Sequence, residues 1–141
     1  MMRQLMLFLG GQYRFAATVE RFGLRYELSK GAQPTILLKD VALHTGTVIV
    51  VSQHMWTPVT PEVVTLNPRR GDRISFNAVV CEYYKILDSG REKLDYSINK
   101  LANVDLVAGG NGLSLSLGEY LNNLRQSQTF AHKQIEISCI A

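Results

Sequence analysis

Ten side chains in this 141-residue chain combine positive charge with flat rings. Arg25, Tyr26 and Lys30 share one polar stretch, and Lys85, Arg91 and Lys93 share another. His54 and Trp56 stand two apart in a run rich in β-branched residues, and Arg73 and Tyr83 lie on one side of an alternating run. Cations neutralise phosphates and rings stack on bases, each stacked base contributing about 1–3 kcal/mol. The chemistry such a set supports is the holding of a single nucleic-acid strand. The same residues have plainer readings. Glu27, Asp88 and Glu92 are interleaved with the cations, as on any mixed-charge solvated surface. His54 fits a hydrogen-bonded structural role, and Trp56 fits a barrel plug or rim with its indole N–H bonded to a carbonyl.

Bond-making chemistry finds little support. Cys81, Cys139, His44, His54 and His132 lack zinc-ligand spacing. No G-x-S-x-G elbow occurs. Gly109 to Gly112 precedes a helix-like segment but lacks the Lys-Ser/Thr of a phosphate-binding loop, so it reads as a flexible joint. No catalytic residue, metal ligand or cofactor is therefore assigned. The net charge of +3 permits an acidic partner without requiring one. Hydrophobic content of 46% and charged content of 19% describe a folding chain of one domain, 1–141. The two cysteines read as reduced structural thiols. The apolar run Leu5–Leu9 is too short for a secretory leader or a membrane span, which leaves a cytoplasmic protein with an N-terminal strand or ordered arm.

The elements that would position these side chains are mostly strands. Tyr13–Phe22 alternates, with Tyr13, Phe15, Ala17 and Val19 on one face. The polar segment 23–34 reads as a long hairpin loop or a frayed strand end. Thr35–Leu43 and Thr47–Trp56 form a hairpin about Gly46. Thr60-Pro61-Glu62 has the signature of a helix start, giving a turn over 63–66. Arg73–Tyr84 alternates most clearly, sending Ile74, Phe76, Ala78 and Val80 inward. Lys85–Lys93 is a link with its tip at Ser89-Gly90. Leu94–Ile98 is a fifth strand, with Val104–Val107 extending it or standing alone. Ser116 and Glu119 form a capping box for a helix over Leu117–Gln126, and Gln134–Ile140 alternates as a terminal strand.

This order resembles the OB-fold, a five-stranded Greek-key barrel. The RFAATVERFG, GDRISFNAVVCEYY and LDYSI strands carry the resemblance across 13–107, and 108–141 adds a helix-strand extension. The chain is also similar to small phage or mobile-element proteins that share H-x-W (His54, Trp56), GD-x-I-x-F-x-A-x-V-x-x-Y (Gly71 to Tyr83) and D-Y (Asp95-Tyr96). A sandwich or an SH3-like barrel is the competing architecture. The resemblance implies binding of oligonucleotides or oligosaccharides on strands two and three, between the loops joining strands one to two and four to five. The expected function is non-catalytic binding of single-stranded DNA or RNA. The alternative is a protein-interaction or self-assembling module that pairs through its N-terminal arm or terminal strand.

Overall fold

The computed structural model describes residues 2–110, 112 and 114–126. Five antiparallel strands form one sheet: β1 (Gln12–Glu27), β2 (Gly31–His44), β3 (Val48–Pro58), β4 (Arg73–Ile86) and β5 (Glu92–Ala108), in the order β3-β2-β1-β4-β5. The short helix α1 (Pro61–Leu66) lies between β3 and β4. The sheet curls until its two outer strands meet, where the buried Thr57 hydroxyl of β3 donates to the Ile98 carbonyl of β5 at 2.9 Å. Strand order, closure and helix position together make an OB-like barrel. A second helix, α2 (117–126), follows β5. The expected terminal strand Gln134–Ile140 and Cys139 lie outside the described residues.

The inward face of β4 is Ile74, Phe76, Ala78 and Val80, all at 1% exposure or less. They meet Phe15, Ala17 and Val19 of β1 and Ile36 and Leu38 of β2. Phe15 and Phe76 are register partners and lie nearly parallel, 6.0 Å apart. The N-terminal segment forms a 3-10 helix (Met2–Phe8) that inserts Leu5, fully buried, into this core.

Two stretches are more extensively paired than the sequence reading expected. Segment 23–34, expected as a long hairpin loop or a frayed strand end, is a hairpin whose paired strands run further: β1 extends to Glu27 and pairs residue by residue with Gly31–Thr35 of β2. The strand β5 is continuous over 17 residues, so Val104–Val107 extends the fifth strand instead of standing alone. It turns corners at Lys100 (φ 56°) and Asn103 (φ 48°), left-handed positions that break its alternation.

The expected helix starts are present. Thr60 precedes Pro61, but its hydroxyl donates to the Leu101 carbonyl at 2.7 Å instead of capping α1, so it ties the helix to β5. Ser116 Oγ accepts the Glu119 N–H at 3.2 Å. The same hydroxyl and then Arg69 draw the Glu119 carboxyl below its usual range. Arg69 fastens α2 to the barrel, donating to the Ser114 carbonyl at 2.7 Å and Glu119 Oε1 at 3.0 Å. Gly110 is no flexible joint. Its N–H donates to Asp72 Oδ1 at 2.9 Å, and a Cβ there would stand 2.5 Å from the Gly71 carbonyl carbon.

Candidate nucleic-acid interface

Two arms rise from the barrel on either side of the outward face of β3. The first is the tip of β1–β2, closed by the Lys30 N–H donating to the Glu27 carbonyl at 3.2 Å. The second is the tip of β4–β5, in which Glu82–Ile86 pairs with Glu92–Tyr96. Its turn is closed by the Leu87 N–H to the Arg91 carbonyl and the Gly90 N–H to the Leu87 carbonyl, both 2.8 Å, with Gly90 at φ 83°. Gly90 takes a conformation that other residues rarely hold.

Between the arms lies a groove of about 630 Å³. Arg25 reaches it from the first arm and Tyr83 and Lys85 from the second, with His54 and Trp56 on its β3 wall. Strand pairing explains the convergence. In β3, Val51, Met55 and Thr57 point inward and His54 and Trp56 outward. Trp56 is therefore no barrel plug. It is 43% exposed and packs over Gly23, whose added Cβ would stand 2.9 Å from the indole Cη2. A side chain at 23 would displace the ring. The Arg21 guanidinium sits 5.5 Å from the ring centre, a cation–π contact.

The groove is mixed in charge. The Tyr83 hydroxyl donates to Asp95 Oδ2 at 3.3 Å, and the other Asp95 oxygen accepts the Tyr96 N–H at 2.8 Å. Burial first, then the Asp95 charge, push the Tyr83 phenol above its ordinary value. Burial likewise raises the Cys81 thiol, which points at the Ser97 carbonyl. His54 Nε2 approaches Glu20 Oε2 to 2.8 Å. The approach is not aligned as a hydrogen bond, so a protonated imidazole would be joined to the carboxylate by charge.

The remaining candidates lie apart from the groove. Tyr26, 81% exposed, and Lys30, 4.0 Å from Glu27, occupy the first arm's tip. Arg91 and Lys93 occupy the tip of the second. Arg73 sits at the far end of β4, donating to Thr18 Oγ1 at 3.2 Å and the Asp40 carbonyl at 2.9 Å, as a structural tie. Ser75 and Asn77, on the same outward face, bind Arg14. That guanidinium donates to Ser75 Oγ, Asn77 Oδ1, Asp105 Oδ2 and the Asn103 carbonyl at 2.7–3.2 Å. Sequence reasoning missed Arg21. Alternation from Val19 points it inward, and a bulge between Val19 and Arg21 turns it outward. Among the described residues no group of three or more His, Cys, Asp or Glu could hold a metal.

No family model matches the chain, and no curated protein is similar enough to count as a relative. Among solved structures, the chain is similar to Rim1, a mitochondrial single-stranded DNA binding protein from S. cerevisiae. The identity is 13% and the TM-score 0.45, covering 71% of this chain and 97% of that one.

Proposed function

We propose that this chain is a non-catalytic binding module for single-stranded nucleic acid, held in the groove between its two arms. One observation carries the reading. Two cations from opposite arms, Arg25 and Lys85, and two exposed rings, Trp56 and Tyr83, line one open groove. Phosphates need the former and bases the latter. Two acidic residues, Glu82 and Asp95, also line the groove and balance the formal charge of Arg25 and Lys85, so binding of a polyanion there is weak and salt-sensitive. The arrangement offers rings and charges without a pattern of buried donors and acceptors aimed at base edges, so sequence preference is weak.

Fluorescence anisotropy with labelled oligo-dT and a matched oligo-U at low salt tests this. Saturable binding should weaken with salt by a log–log slope of about −0.7 for each phosphate neutralised, near −2 for Arg25, Lys85 and Arg21 together. Absence of binding to both oligomers at low salt would sink the proposal.

A second reading has one observation behind it. The reverse side of the second arm exposes Tyr84 at 68% and Ile86 at 73%, with Leu94 at 38% paired across from Tyr84. Such a patch suits a protein partner or another copy of the chain. Light scattering that shows a dimer broken by Ile86→Lys would favour it.

A further inference from the structure

We propose that the binding path continues past the groove into a second pocket, making α2 part of the nucleic-acid surface; this rests on the groove reading above. The pocket measures about 300 Å³ and is lined by Arg21, Phe22, Arg70, Ser114, Leu115 and Tyr120. Two arginines and two aromatic residues are among its lining, and no acidic residue is. Among the described residues, neither arginine forms an ion pair.

Arg21 joins the two sites. Its guanidinium lies over the ring of Trp56, which lines the groove, and the same residue lines the second pocket. A strand whose base stacks on Trp56 would thus meet a cation in the direction of α2. Arg70 is presented by a pinned backbone. Its own N–H donates to the Leu115 carbonyl at 3.4 Å, and the adjacent Gly71 N–H donates to the Val19 carbonyl at 2.7 Å. The side chain itself is exposed.

Tyr120 stands on the first turn of α2 and is half-buried. Its ring leans on Phe22 with centroids 5.6 Å apart and planes at 32°. Leu117, fully buried, roots that turn in the core, so the ring is held in place before any ligand arrives. An arginine pair for phosphate beside a fixed ring for a base repeats the chemistry of the groove one step further along. The occupant is the same strand, extended by the next nucleotides.

A length series separates the two sites. Oligo-dT of about 5 nucleotides fills the groove alone, and oligo-dT of about 20 nucleotides spans both. Arg70→Gln removes the exposed cation without touching the core. Tyr120→Leu keeps an apolar contact on Phe22 while removing the ring, and circular dichroism checks that both variants fold. Each should weaken binding of the long oligomer about fivefold or more and leave the short one within twofold. Arg70→Gln should also make the long oligomer's salt slope shallower by about 0.7, a change that a merely structural arginine would not produce. Equal effects on both lengths, or none on either, would overturn the second pocket. If Trp56→Leu still weakens both lengths in that case, the groove reading stands alone. If the unmodified chain binds neither oligomer, the groove reading fails and the extension fails with it.

Discussion

Replacing Trp56 with leucine separates what the indole does for the fold from what it does for a ligand. The ring is 43% exposed, so rather more than half of it is covered, chiefly by Gly23 and the Arg21 side chain. Leucine gives up roughly 50 Å² of covered apolar surface, about 1 kcal/mol at ~25 cal/mol per Å². The lost cation–π contact adds about 0.5–1 kcal/mol at an exposed site. The variant should therefore unfold about 1.5–2 kcal/mol more easily in urea and remain folded in buffer. Its affinity should change more. One stacked base is worth about 1–3 kcal/mol, a loss of about 5- to 150-fold in oligo-dT affinity. Trp56 is the sole tryptophan, so emission from the unmodified protein should quench along the same saturation curve as the anisotropy. The reasoning is refuted if folded Trp56→Leu binds within twofold of the parent, or if anisotropy saturates while the emission stays constant.

The framework makes its own predictions. Gly110→Ala places a methyl 2.5 Å from Gly71 backbone, which cannot swing aside. It should cost about 1–3 kcal/mol in a urea titration, and a loss under 0.5 kcal/mol would contradict the packing. Asp72 accepts from the Arg69 N–H at 2.8 Å and the Gly110 N–H at 2.9 Å, one on each carboxylate oxygen. Asp72→Asn turns an NH₂ toward one of those donors and should destabilise by about 1–3 kcal/mol, with unchanged stability the contrary outcome. Leu5→Ala empties a fully buried site and should cost about 2–5 kcal/mol; a neutral result would mean that the N-terminal segment does not serve the core. Because the folded Tyr83 phenol titrates above its unfolded value, its stabilisation is whole below about pH 10 and is lost as pH rises through the folded pKa. Tyr83→Phe should remove that part of the alkaline decline in stability. An identical decline in the variant would rule the assignment out.

Where one face of a segment is buried and the other is wet, the sequence was legible. The alternation of β4 named its four core residues, and the Ser116–Glu119 capping box marked the start of α2 over 117–126. Where both faces meet solvent, as in the arm formed by 23–34, nothing selects apolar residues at every second position, so the sequence marked only a long hairpin loop or a frayed strand end. Bulges hid the rest. The slip beside Arg21 reverses its face, and Lys100 and Asn103 restart the alternation of β5. The site divides in a similar way. Alternation tells which side of a sheet a residue occupies but not its height along the barrel, so Arg73 and Tyr83 looked equivalent. One ties Thr18 to Asp40, and the other faces the groove. The Arg14 knot was out of reach, since its partners lie 61–91 positions away.

The two arms are the same strands that wall the barrel, carried outward without a break. They therefore act as levers rather than tethers. A force on either tip passes along β1–β2 or β4–β5 toward the ladders anchored by Phe15 and Phe76, and the bulge between Val19 and Arg21 is the first irregularity it meets from the first arm. The span between the arms is then a mechanical property of the whole barrel. Amide exchange should slow steadily from tip to core instead of stepping at a boundary, and any change that loosens the core should widen the gap between the tips before the chain unfolds.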